Sequence, residues 1–250
     1  MDQVESQKLD CLIVTATSSE QTLLRDRLGG LERTTHAHRT TIFGQMFGLR
    51  VALVEASIGA VNTAQSLTAF LENHEVQTVV QTGIGGAFPG SGLGVGDLAI
   101  ATEEIIGEFG VLGKDGWTGG ETIGIPLLDT SPPTYNRIEL DEESSSAAYD
   151  AARGIANSEG RQISSGPFLT VQNVTGSAIL ATELEDRFGV ISENMEGAAA
   201  AQVCLLYGTP FVEIRGISNI VEARNPASWD IPTATGISQS ATLAYLESRS

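Results

Sequence analysis

Short apolar runs rich in β-branched residues alternate with helically spaced segments along almost the whole chain, and this alternation restricts the fold more than any other feature. "CLIVTAT" (Cys11–Thr17) is apolar at nearly every position, as in a strand covered on both faces. A polar turn, Ser18-Ser19-Glu20, leads into "QTLLRDRL", which has helical spacing. "RVALVEASIG" (Arg50–Gly59) reads as a second strand, and "AVNTAQSLTAFLENH" as a helix ending near His74. "VQTVVQTGIGGAFPG" is a strand followed by a glycine-rich bend, and "VGDLAIATEEI" is another strand. Farther on, "DEESSSAAYDAARGIA" is helical, "RQISSGPFLTVQNV" holds one or two strands, and "SAILATELEDRFG" is a helix. The strand-like "VISEN", an alanine-rich helix, the strand "PFVEIRGISN" and a last helix from about Thr233 complete the series. The pattern predicts an α/β fold with a mixed, mostly parallel central sheet flanked by helices.

Residues 111–137, "VLGKDGWTGGETIGIPLLDTSPPTYNR", break the pattern and read as a long loop, a feature often functional in compact domains. No repeat or linker divides the 250 residues, so residues 1–250 are read as one domain, with 1–9 as a flexible N-terminal segment. A hydrophobic fraction of 41% is enough for a sizeable core. The net charge of −17 argues against nucleic acid and against an anionic membrane surface, both of which call for Lys and Arg. No apolar run approaches the roughly 18 residues needed to span a bilayer. The polar, acidic "MDQVESQKLD" does not fit a signal peptide. Cys11 and Cys204 both lie in apolar runs, as buried reduced thiols of a cytoplasmic protein would.

In open sheets of this kind ligands sit at the carboxyl ends of the strands. The residues there are Glu20, the Gly83-Ile84-Gly85-Gly86 bend, Phe168, Met195 with Glu196, and Asn219. "ENMEGAAAAQVCLLYG" poses the sharpest question, because it opens an apolar helix with two carboxylates that are costly to desolvate. They are either an exposed helix start, favoured by the dipole, or a grip on something polar. The glycine bend is no dinucleotide fingerprint, since the sixth position counted from Gly83 is Phe88, and there is no Walker pattern. His36, His38 and His74 lie beside no Asp/Cys cluster, and there is no G-x-S-x-G elbow. No metal or cofactor is implied.

"QTGIGGAFPG…VGDLAIATEEI", "NMEGAAAA" and "VEIRGISN", in this order and spacing, resemble the purine nucleoside phosphorylase and nucleosidase superfamily over nearly the whole chain. Within it, "GIGGAFPGSGLGVGDLAIATEEI" and "NMEGAAAAQVCLLYGTPFVEIRGISNIV" look most like the futalosine hydrolases. Methylthioadenosine/S-adenosylhomocysteine nucleosidases usually carry Ser where this chain has Ile84 and Asp where it has Asn219.

The resemblance implies a nucleoside phosphorylase-like fold and hydrolysis of futalosine to release hypoxanthine, a step of menaquinone biosynthesis. It assigns Glu196 to the ribose 2′- and 3′-hydroxyls and Met195 to the sugar face. Glu20 would activate water, and Phe168 would lie on the purine, with Leu169, Ile84 and Gly85 lining the substrate. Asn219 would serve the departing base, because its amide can donate to N7 and O6 of a 6-oxopurine. Related hexameric phosphorylases place an Arg where Gln81 stands, and "TATSSEQ" is acidic, so water rather than phosphate is the expected acceptor. For the carboxyphenyl group of futalosine the candidates are Lys114, Trp117 and Arg137, or Arg224 and Trp229. Members of the superfamily are dimers or larger, which implies a homo-oligomer, dimer or tetramer. The rival expectations are a methylthioadenosine/S-adenosylhomocysteine nucleosidase, a phosphorylase, and a silent nucleoside-binding protein.

Overall fold

The computed structural model describes residues 8–250. Its first half holds β1 (Cys11–Thr15), α1 (Thr22–Arg27), β2 (Gly29–His36), β3 (Arg39–Met46), β4 (Leu49–Glu55), α2 (Ala60–Leu71), β5 (Val79–Ala87) and β6 (Leu98–Ile106). The second half holds β7 (Gly110–Gly113), β8 (Gly116–Gly119), β9 (Arg137–Glu139), α3 (Glu142–Ser158), β10 (Ile163–Thr170), α4 (Ala178–Phe188), β11 (Ser192–Asn194), α5 (Gly197–Tyr207), β12 (Phe211–Ile220) and α6 (Ile231–Glu247).

Among the described residues, ten strands form one sheet in the order β11-β10-β6-β12-β5-β1-β4-β3-β2, with β9 beside β6. Successive side chains of β1 go to opposite faces. Cys11 and Ile13 pack with Ala148 and Ala152 of α3 and Ile237 and Tyr245 of α6. Leu12 and Val14 pack with Leu67 and Phe70 of α2 and Ala200 and Cys204 of α5. Helix pairs thus cover both faces of the sheet, the single-domain α/β layering expected. Both cysteines are buried and free, and burial pushes the Cys11 thiol up to about 12. Among the described residues no helix is long and apolar enough to cross a membrane.

The sheet is mixed, as expected: β4, β1, β5 and β12 run parallel, as do β6, β10 and β11, while β2-β3-β4 is an antiparallel meander and β6 runs antiparallel to β12. The meander turns at Ala37-His38 and at Phe47-Gly48, all four with positive φ, the backbone that matches hairpin twist. The glycine bend is instead continuous strand within β5. Residues 111–137 are not all loop, for β7 and β8 pair as a hairpin, although much of the remainder is irregular. Of the N-terminal segment, residues 1–7 lie outside the described residues. Leu9 is buried and bridges Val76, so this part of the segment is held in place rather than flexible.

Candidate active site

β5 outruns β1: their last pair is Val14 with Gln81, whereas β5 continues to Ala87. Past that point the backbone of Ile84 finds side-chain partners instead. Its N–H donates to Glu20 Oε1 at 3.1 Å, and its carbonyl accepts from Arg215 Nη1 at 3.1 Å. Glu20 lies in the turn after β1, where its Oε2 accepts from Thr17 N at 2.8 Å and Thr17 Oγ1 at 3.0 Å. Gly83 makes this approach possible, since a Cβ there would stand 2.5 Å from Glu20 Oε1 and 3.1 Å from Arg215 Nη1. Burial raises the Glu20 carboxyl above its ordinary value, and Arg215 and the bonds from Thr17 and Ile84 offset only part of that rise.

Arg215 is the hub. The β12–β5 register sets it beside Gly83 and sets Asn219 beside Gly86. Its guanidinium is buried, donating from Nε to Glu213 Oε1 at 2.8 Å and from Nη2 to Glu196 Oε2 at 3.3 Å. Burial opposes its charge, yet Glu213, Glu196 and Glu20 together raise its pKa.

Glu196 stands at the head of α5, where Asn194 shapes the entry. Asn194 Oδ1 accepts from Glu196 N at 2.9 Å and Gly197 N at 2.7 Å, so the backbone donors of the helix start are satisfied without a charged cap. The Glu196 carboxylate is left to reach across to Gly59 N at 2.9 Å and to Arg215. Glu20 and Glu196, far apart in sequence, therefore flank one guanidinium. Met195 beside them is partly exposed.

Asn219 sits near the end of β12. Its Nδ2 donates to the Ile220 carbonyl at 3.1 Å, and its Oδ1 accepts from Ser218 Oγ at 2.8 Å. Because the Ile220 oxygen can only accept, the amide cannot be reversed without setting two acceptors together, and one Nδ2–H remains unspent. Asn219 shares a small cleft with Thr175, Arg224 and Trp229, and the Arg224 guanidinium lies 5.5 Å from the Trp229 ring centre.

Of the expected residues, Glu20, Ile84 and Glu196 meet around Arg215; Gly85 and Asn219 sit on the adjoining stretches of β5 and β12, and Met195 is the chain neighbour of Glu196. Phe168 and Leu169 lie in the core clusters. Both are fully buried, Phe168 among Ala87, Ala99 and Ile217, and Leu169 on the opposite face of β10 among Phe88, Ile105 and Val221. β10 is covered on both sides, so its apolar residues serve the core. Trp117 and Arg137 are engaged elsewhere, the first against Phe188 and the second with Glu103 and the Phe188 carbonyl.

The sequence reading missed Arg215, Glu213, Glu104, Asn194 and Gly59. One signal was available: "VEIRG" sets Glu213 and Arg215 two apart, on the same face of an otherwise apolar strand. Such a buried opposite-charge pair needs a purpose.

The site can hold a polyol against Glu196, deprotonate a small molecule at Glu20, and offer a neutral donor at Asn219. The sequence profile of the phosphorylase superfamily matches residues 10–247. The 5′-methylthioadenosine/S-adenosylhomocysteine nucleosidase of Geobacillus kaustophilus is 32% identical over 232 residues, 92% of this chain and 93% of that protein. The nucleosidase of the same name from Bacillus subtilis is 30% identical over 219 residues, 87% of this chain and 89% of that one. Among solved structures, that nucleosidase from Neisseria meningitidis, in complex with methylthio-immucillin-A, superposes with a TM-score of 0.83 at 26% identity, covering 96% of this chain and 99% of its own.

Proposed function

The chain belongs to the phosphorylase superfamily, and from this we propose that it is a nucleosidase, hydrolysing the N-glycosidic bond of a purine nucleoside. The observation that carries the choice of water is the charge around Arg215. Three of its N–H donors are spent on Glu213, Glu196 and the Ile84 carbonyl, with Glu20 close by. A phosphate would enter among carboxylates and find little free cation, whereas water is at home there.

In this reading Glu196 accepts hydrogen bonds from the two ribose hydroxyls, with Met195 against the sugar. The charge of Glu196 stabilises the oxocarbenium character that grows as the glycosidic bond stretches. Glu20 takes the proton from the attacking water. Its raised pKa moves it toward the working pH, where a general base is most effective, contributing roughly 10²–10⁴ in rate. Asn219 donates to the departing base.

For the base, we favour a 6-oxopurine, with futalosine as substrate and hypoxanthine as product. Supporting this is the resemblance in the motifs; the one unspent N–H of Asn219 can donate to N7 or to O6, one acceptor at a time. A second reading, 5′-methylthioadenosine or S-adenosylhomocysteine as substrate, has the names of the curated relatives behind it and stands ahead on that ground. A shared fold leaves the substrate free to differ.

The test is base release followed by chromatography, in phosphate-free buffer, for futalosine, methylthioadenosine and S-adenosylhomocysteine side by side. Hypoxanthine from futalosine at the highest kcat/KM is expected, and Glu20→Gln should bind ligand yet lose about 10²–10⁴ in kcat. Preferred release of adenine would replace futalosine by the second reading. Turnover strictly dependent on phosphate, or undiminished turnover in Glu20→Gln, would overturn the mechanism.

A further inference from the structure

Four carboxylates and one guanidinium are buried together in and behind the site: Glu20, Glu104, Glu196 and Glu213 around Arg215, none more than 4% exposed. Four negative charges against one positive are too costly to desolvate, so the cluster must hold protons. The contacts indicate where. Glu213 spends Oε1 on Arg215 Nε, while its buried Oε2 meets no donor. The group it meets is Glu104: a Cβ on Gly197 would collide with Glu213 Oε2 and Glu104 Oε1 alike, so the two oxygens lie side by side. Glu104 already accepts from Asn194 Nδ2 at 2.6 Å and Thr170 Oγ1 at 2.6 Å. One proton between the carboxyls supplies the missing donor.

We propose that Glu104 and Glu213 share a single proton and that the negative charge left on this pair is a positioning device, fixing Arg215 against Glu196 and keeping Glu20 basic. Burial first, and the charge of Glu213 second, push the Glu104 carboxyl well above the usual carboxylate range. The geometry joins both halves of the site. From the Glu213 side it orients the guanidinium, so that Nη2 meets Glu196 and Nη1 the Ile84 carbonyl. From the Glu104 side, Asn194 and Thr170 hold the backbone of residues 196–198. The groups facing Glu20 are Thr17 of its own turn, the Ile84 backbone of β5 and Arg215 of β12, with Glu196 and Glu213 behind the guanidinium. Removing the charge of Glu213 therefore leaves Arg215 free to act on Glu20 and lowers its pKa.

The kinetic consequence rests on the nucleosidase reading; the proton itself does not. Two measurements on the full chain separate them. In infrared spectra at pH 8, the wild-type minus Glu104→Gln difference should contain a protonated carboxyl C=O band that shifts in D2O. A difference showing only ionised carboxylate bands would overturn the shared proton, whatever the protein's activity. In the second, Glu213→Gln should move the acid limb of the kcat/KM profile to lower pH. It should also lose about tenfold in kcat, the scale of one charge-assisted hydrogen bond. An unmoved acid limb in folded Glu213→Gln would overturn the positioning role. If that variant fails to fold, Glu213→Asp, which keeps the charge, decides: partly retained kcat with the acid limb at its wild-type position is expected, and a loss of kcat as large as that of Glu20→Gln refutes the role.

Discussion

Gly197 follows Glu196 for a reason that lies in the residues behind it. The Glu104 and Glu213 carboxyls occupy the place where its side chain would be. Gly197→Ala should therefore be destabilising even though alanine is the better helix former. Overpacking costs about 1–3 kcal/mol, and the gain in helix propensity, at most about 1 kcal/mol in a helix interior, is smaller at the first helical position. At about 2–4 °C per kcal/mol for a chain of this size, a melting curve should show Tm lowered by several degrees. An unchanged Tm would mean that the two carboxyls move aside freely. Glu20 and Glu196 were legible in the sequence because each is a polar residue placed just after a strand or at the head of an apolar helix. Phe168 is harder to read on the same logic: it too is near a strand end, and a buried aromatic looks alike whether it faces a ligand or the core. Arg215 lies inside β12 rather than after it, so the strand-end pattern does not mark it.

The helices were readable because periodicity and caps agree. Asp141 opens "DEESSS", and its side chain accepts from Ser144 N at 2.8 Å at the start of α3. α3 packs on α6, the helix behind β5 and β12, so its start bears on the support of the site. Asp141→Ala should cost about 0.5–1 kcal/mol, the lower part of the range for lost caps, because this carboxylate is largely exposed and solvent-screened. The sign of the pH dependence is fixed by the shift. The bonds from Ser144 hold the Asp141 carboxyl below its ordinary 3.8, so its contribution is present above 3.8 and lost as pH falls through the folded value. Urea midpoints of variant and wild type should differ at pH 7 and converge in acid, and a difference that persists in acid would locate the effect elsewhere. β2 and β3 were not legible, for two physical reasons. β2 is an exposed edge strand and β3, between it and β4, is only partly buried, so no apolar alternation marks them. One of the turns that pair these strands, at Ala37-His38, adopts positive φ without the Asn-Gly or Asp-Gly that signals such a turn.

Across the whole molecule, 31 acidic residues face 14 basic ones, and self-repulsion of this kind disfavours the compact state. The interior adds a term of the same sign. Burial raises the carboxyls of Glu20, Glu104 and Glu193 above their ordinary 4.5. Between 4.5 and each folded value the native state holds protons that the unfolded chain has released. The stability from these groups is therefore full below 4.5 and is lost as pH rises through the folded values. Asp141 and Asp230 pull the other way, but only in strong acid, because their carboxyls lie below 3.8. Thermal stability should accordingly be greatest on the acid side of neutrality and fall toward pH 8. Salt separates the two causes. At 1 M ionic strength the Debye length is about 3 Å, so repulsion between surface charges is largely screened while buried proton uptake is hardly touched. Added salt should raise Tm at pH 8 more than at pH 5.5, and a decline of Tm between pH 5.5 and pH 8 should remain at 1 M. A flat profile at high salt would assign the whole effect to the surface and leave the buried carboxyls no part in it.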